Sequence, residues 1–221
     1  MSAHKLGFLA PLAAAGIVMT APVGPSPLAP GAAEAASFDC ARASTPTERA
    51  ICSDPQLSAL DSRLQGAYDA RVTRDQGVRE LERGWLAARN AGCGKDVACL
   101  KRFTAAQIAW LESAALRPPS ALPTRVGACA LSSIKLVGSR LEGMPDSGSA
   151  VEETDGGYQV SYDVEAPIQA SQAGDPALVC LVSIPSHCPP GDDRGRFYAV
   201  ANLRTLGAWS DPDAEHMCGG A

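Results

Sequence analysis

The chain has 221 residues, of which 46% are hydrophobic, 19% charged and 5% aromatic, with 21 Gly, 17 Pro and a formal net charge of -5. That composition is globular and excludes a coiled coil, a collagen and a fully disordered chain. Eight cysteines in so short a chain indicate an oxidising compartment, and since no Cys-x2-Cys occurs they read as bridges, not as a metal site. With only His4, His187 and His216 present, most His-based catalytic and metal constellations are excluded, so no catalytic residue, cofactor or metal is expected.

Residues 1–35 read as a secretory signal peptide. Lys5 precedes an apolar run from Leu6 to Met19, and Ala33-Glu34-Ala35 supplies the small-x-small cleavage pattern. The run is shorter than the roughly 20 residues of a spanning helix. Ala36-Ser37-Phe38-Asp39 before Cys40 lacks the pattern of a lipid-attachment signal, so the expected product is a soluble periplasmic or secreted protein.

Leu116-Arg117-Pro118-Pro119-Ser120-Ala121-Leu122-Pro123 reads as a stiff linker, because three prolines remove backbone donors and resist helix. It divides the chain into residues 36–116, a linker at 117–124, and residues 125–221. Each side holds four cysteines, Cys40, Cys52, Cys93 and Cys99 before it, then Cys129, Cys180, Cys188 and Cys218 after it. The even split predicts two independently stapled domains with no bridge across the linker.

The first part is helical by pattern. Thr45-Pro46-Thr47-Glu48 is a capping box with proline at the first helical position, and Asp54-Pro55 repeats the start signal. Leu57, Leu60, Leu64, Ala67 and Val72 then share a face, as do Val78, Leu81, Trp85 and Ala88 on the next helix. Gly92-Cys93-Gly94 stops that helix, and Val97, Leu100, Phe103, Ile108, Leu111 and Ala115 predict another. Antiparallel packing permits bridges across the hairpin from Cys93 to Cys40 or Cys52, and all three pairings remain open.

Phe38-Asp39-Cys40-Ala41-Arg42-Ala43, Glu48-Arg49-Ala50-Ile51-Cys52 and Leu57-Ser58-Ala59-Leu60-Asp61 with Tyr68 resemble the amino-terminal domain of the lysozyme inhibitor LprI family. Trp85-Leu86-Ala87-Ala88-Arg89, Cys93 and Cys99-Leu100 continue the likeness, which covers residues 38–115. Two positions depart from it: Gln107 stands where an arginine is expected, and Arg89-Asn90 where Arg-Asp is common. The resemblance implies an exported helical module, linked in some members to inhibition of lysozyme.

After the linker the period changes to alternation. Ile134 to Arg140, Val151, Tyr158 to Tyr162, Leu178 to Ile184, Arg196 to Val200 and a piece near Trp209 predict strands, with Asp155-Gly156-Gly157 as a hairpin turn. The nearly continuous apolar run at 178–184 reads as a central strand. The whole is therefore expected to be α+β, an antiparallel helical domain followed by a small antiparallel sheet or sandwich. This half also resembles a region found beside the same helical module in bacterial exported proteins, without an assigned activity. Here the expected pairs are Cys129 with Cys180 and Cys188 with Cys218, the second tying a loop to the terminus.

Residues 36–118 carry a net charge of +2 and residues 119–221 a net charge of -7. The acidic half excludes nucleic acid, which needs clustered Lys and Arg. It suits a basic partner such as an animal-type lysozyme, whose cleft carries two carboxyl groups. The leading expectation is an exported inhibitor that binds lysozyme by protein–protein contact; the alternative is a cell-envelope interaction module with another ligand. Partner contact falls on His187 and Ser186, in a cysteine-fixed loop, and on Trp209. Ser183 or Ser186 with His187 and Asp192 or Asp193 lack the frame of a hydrolase triad. Asp211, Asp213, Glu215 and His216 lack the spacing of a calcium loop.

Overall fold

The structure is a computed structural model and describes residues 35–220. The expected signal peptide therefore lies outside the described residues, apart from Ala35. A short 3-10 turn at Cys40–Arg42 leads into α1 (Pro46–Ser53), α2 (Pro55–Val72), α3 (Val78–Cys93) and α4 (Val97–Glu112). Strands β1 (Cys129–Leu141), β2 (Met144–Glu153) and β3 (Tyr158–Ser161) follow. A one-turn helix α5 (Ala166–Gln169) precedes β4 (Pro176–Ser183), β5 (Phe197–Asn202) and β6 (Ala208–Pro212).

The helix starts follow from their caps. Thr45 accepts from the Glu48 amide while the Glu48 carboxylate accepts from the Thr45 amide, so α1 opens on a closed capping box. Asp54 caps α2 through the Leu57 amide, and Asp96 caps α4 through the Cys99 amide. Gly94, at φ 53°, ends α3.

The strands form one antiparallel sheet in the order β3-β2-β1-β4-β5-β6. Strand β1 is long enough to serve two partners: Cys129 to Ser133 pair with β4, and Ile134 to Leu141 pair with β2 beyond a bulge. The bend lets edge strand β3 come against β6. Ile134, Val151, Ile168, Val179, Leu181, Tyr198, Val200 and Trp209 fill the concave side.

The convex side of β4 and β5 is covered by α3. Leu178, Cys180, Val182, Ala199, Ala201 and Leu203 join the helical core of Leu57, Leu81, Trp85, Leu100, Phe103 and Leu111. Strand β4 is thus buried on both faces, which is why its sequence is apolar without alternation. Close approach of α3 depends on two glycines. A Cβ on Gly92 would stand 2.8 Å from both Ala199 Cβ and Val182 Cγ2, and one on Gly84 would run into Leu203 Cδ2.

The cysteines pair Cys40–Cys52, Cys93–Cys99, Cys129–Cys180 and Cys188–Cys218, with none free. No bridge crosses the linker, and the second-half pairs are the expected ones. In the first half both bridges are local, so neither of the cross-hairpin bridges left open by the sequence forms. The core is not divided as the cysteines are: the helices and the sheet form one compact unit with shared packing. Independence of the two halves, expected from the even split, does not extend to their hydrophobic contacts, because α3 is amphipathic towards both.

Candidate functional site

Separate stretches of the helical part meet in a groove of about 330 Å³. Phe38 reaches it from the amino-terminal segment, Glu48 from α1, Asp61 and Tyr68 from α2, and Glu82 and Arg89 from α3. All but Glu82 belong to the motifs that carry the family resemblance. The amino-terminal segment is held on α2 by Asp61, whose Oδ2 accepts from Ser37 N at 2.9 Å and Ser37 Oγ at 2.6 Å. Glu48 accepts from the backbone N–H groups of Thr45 and Ser44 at 2.8 and 2.7 Å, which hold its pKa down to about 2. Thr47 Oγ1 donates to Gly94 O at 2.7 Å and ties α1 to the end of α3.

Below the groove lies a buried polar cluster. Glu82 is 7% exposed, accepts from Gln107 Nε2 at 2.7 Å, and is pushed by burial to a pKa of about 7, against the opposing pull of Gln107 and Arg89. Arg89 stacks its guanidinium 5.1 Å from the Trp85 ring centroid and donates to Asn90 Oδ1 at 3.2 and 3.1 Å. Burial lowers the Arg89 pKa, while Asp61 and Glu82 raise it. The two departures from the family pattern therefore act together: Gln107 and Asn90 put neutral amides against Glu82 and Arg89. Gln107 is buried and has no surface role. Glu82 was missed in the sequence, although its place four residues after Val78, on the apolar face of α3, is the signal that could have found it, and Arg89 was named only through the family likeness.

The expected contact loop lies after β4. Ile184, Ser186 and His187 are exposed, and His187 holds a left-handed backbone at φ 64°. The Cys188–Cys218 bridge fastens the loop to the chain terminus. Around it Asp192 accepts from Arg194 Nε and Nη2, each at 2.9 Å, and from Gly219 N at 3.0 Å, and Arg194 holds its carboxyl well below the usual range. Asp213 accepts from Gly195 N and Arg196 N at 2.7 and 3.0 Å, and Asp193 pairs with Arg196.

No triad assembles among the described residues. The side chains of Ser183, Ser186 and His187 make no hydrogen bonds, while both Asp192 and Asp193 are engaged by arginines. Trp209 is only 3% exposed and packs opposite Val200 in the concave core, which removes it from the contact surface. Asp211, Asp213, Glu215 and His216 do not converge. Asp211 is buried opposite Tyr198, Glu215 pairs with Arg140 at 3.5 Å, and the described residues contain no group of three or more His, Cys, Asp or Glu placed to hold a metal. A second buried carboxyl, Glu153, is 1% exposed with only Gln159 Nε2 at 3.2 Å; burial raises it to about 8.

A disulfide-fastened four-helix module seated on a curled antiparallel sheet is the class that this geometry defines. Residues 40–117 match a family model described as "Lysozyme inhibitor LprI". No curated protein and no solved structure matches the chain.

Proposed function

We propose that the protein is an exported inhibitor of lysozyme, acting by protein–protein contact to protect a bacterial cell wall. The observation that carries this reading is the LprI match over residues 40–117, whose motif residues gather around one groove. Four disulfides and the lack, among the described residues, of a helix long and apolar enough to cross a membrane fit an exported chain. In this reading residues 36–116 supply the family module, 117–124 the linker, and 125–221 an acidic partner surface that speeds encounter with a basic enzyme.

Within it, the His187 loop plugs the enzyme cleft. Its exposure together with the Cys188–Cys218 tether favours this, since a fastened loop loses little entropy on binding. The test is clearing of a bacterial cell-wall suspension by lysozyme in the presence of the oxidised mature chain. Clearing slows with added protein, and His187→Ala weakens inhibition about tenfold, or about 1.4 kcal/mol. An unchanged clearing rate at molar excess overturns the function; an unchanged inhibition constant for the variant overturns the loop.

A further inference from the structure

Under the turn that joins β2 to β3, side-chain oxygens outnumber the donors that could satisfy them. Glu153 Oε1, Gln159 Oε1 and Asp155 Oδ2 are shielded from solvent, and none accepts a hydrogen bond among the described residues. Glu153 is 1% exposed and Gln159 is fully buried. Each enclosed acceptor without a partner costs about 1–3 kcal/mol, so the cluster calls for an occupant.

The three side chains meet in one place. Gln159 pairs with Val151 in the β2–β3 ladder and Glu153 lies two residues on from Val151, so both enter the same face of the sheet. There Gln159 Nε2 donates to Glu153 Oε2 at 3.2 Å, which leaves Oε1 as the free end of the amide. Asp155 arrives from the turn, its Oδ1 accepting from Gly157 N at 3.1 Å. A Cβ on Gly157 would stand 2.5 Å from Glu153 Oε2 and 3.2 Å from Asp155 Oδ1, so glycine leaves open the point on which both carboxyl groups close. Leu122 of the linker covers it, with Cδ2 3.2 Å from the same Cβ position.

The chemistry of the set selects the occupant. All three free atoms are oxygen acceptors, and the charged groups that act on Glu153 are Asp155 and Glu152, both acidic. Glu152 is already paired with Lys135 at 2.8 Å, whereas Glu153 and Asp155 have no ion pair among the described residues. A water would have to sit about 2.7–2.8 Å from each oxygen, where the packing leaves no room; a bare calcium ion sits closer, at about 2.3–2.6 Å. Magnesium keeps several waters that an enclosed site does not admit, and zinc favours His or Cys, which the set lacks.

We propose that Glu153, Asp155 and Gln159 form a calcium site that pins the β2–β3 turn beneath the linker. The two carboxylates balance the charge of the ion, and the Gln159 amide oxygen supplies a third ligand. The carbonyls of Thr154, Asp155 and Gly156, which accept no hydrogen bond among the described residues, are the nearest further oxygens along the chain. Entry is through the turn, where Asp155 is partly exposed and Gly156 exposed. This goes beyond the lysozyme reading and does not depend on it.

The test is calorimetric titration of the oxidised mature chain with calcium chloride at pH 8, after metal has been removed with a chelator, with magnesium chloride as the control. One calcium per chain is expected, with a Kd of about 0.1 to 1 mM, the range of extracellular modules. Saturating calcium should raise the thermal midpoint and slow amide exchange in residues 153–159, and magnesium should do neither. Asp155→Asn should weaken calcium at least tenfold. Glu153→Gln should do the same without lowering the midpoint measured in chelator, which separates a lost ligand from a damaged fold. Asp146→Asn, an exposed carboxylate at the other end of β2, should leave the affinity unchanged. No saturable binding up to about 10 mM calcium, wild-type affinity in both Asp155→Asn and Glu153→Gln, or magnesium binding as tightly as calcium would overturn the proposal.

Discussion

The helical part and the sheet are fastened in different ways. In the helices the bridges close short spans, 12 residues for Cys40–Cys52 and 6 for Cys93–Cys99, whereas in the sheet they span 51 and 30. On a loop-entropy account the short pair are worth about 2 to 3 kcal/mol each and the long pair about 4. The helices have caps at α1, α2 and α4 and consecutive packing; the sheet must join β1 to β4 across a long stretch of chain, and Cys129 stands directly opposite Cys180 in that pairing. Cross-links thus contribute most where local sequence contributes least.

The comparison breaks most visibly at the bridges. Replacing Cys129 and Cys180 together by Ala should cost about 4 kcal/mol in urea unfolding, against about 2 for Cys93 and Cys99. A reversed order would place the main covalent restraint in the helices.

The regions resemble each other in one respect, a buried glutamate held by an amide. Glu82 has a folded pKa of about 7 and Glu153 of about 8, both above the ordinary 4.5. Between the unfolded and folded values the native state binds the extra proton. Stability from these groups is therefore complete below pH 4.5 and falls as pH rises towards 7 to 8. Glu82 alone accounts for roughly 3 kcal/mol of that fall. Thermal midpoints should be higher at pH 5 than at pH 8, and Glu82→Gln should make the fall up to pH 7 shallower, leaving the share that Glu153 contributes. A midpoint that rises over this window would mean that Glu82 is ionised and paired.

Glycines sharpen the comparison at smaller amplitude. Gly92→Ala, at the contact of α3 with the sheet, should destabilise by about 1 to 2 kcal/mol through overpacking, partly offset by helix propensity. Gly66→Ala on α2 has nothing within 4 Å of the new Cβ and should stabilise by about 0.5 to 1 kcal/mol. Like signs for the two variants would remove the α3 interface from the account.

Much of the fold was legible because its signals are local. The Thr45 to Glu48 box, Asp54-Pro55 and the apolar stripes of α2, α3 and α4 each act within a few residues, and the unbroken run in β4 marks a strand covered on both sides. Long-range features were not legible. Gly92 beside Gly94 reads as a helix stop, whereas α3 runs through it to Cys93 and uses Gly92 to meet the sheet. The β1–β2 turn at Glu142-Gly143 was missed for want of alternation near it, since Glu142 to Asp146 are all exposed. Trp209 was misread as a contact because the acidic residues after it suggest surface, while pairing with β5 turns it inward. Of the site, the motif residues were named from resemblance, but their convergence on one groove needed the packing of α1, α2 and α3.

The central claim is tested most directly by calorimetric titration of lysozyme with the oxidised full mature chain, with and without a saturating chito-oligosaccharide in the enzyme cleft. The account predicts saturable binding that the oligosaccharide weakens, because both occupy the cleft. Absence of binding, or binding that the oligosaccharide leaves untouched, would contradict it.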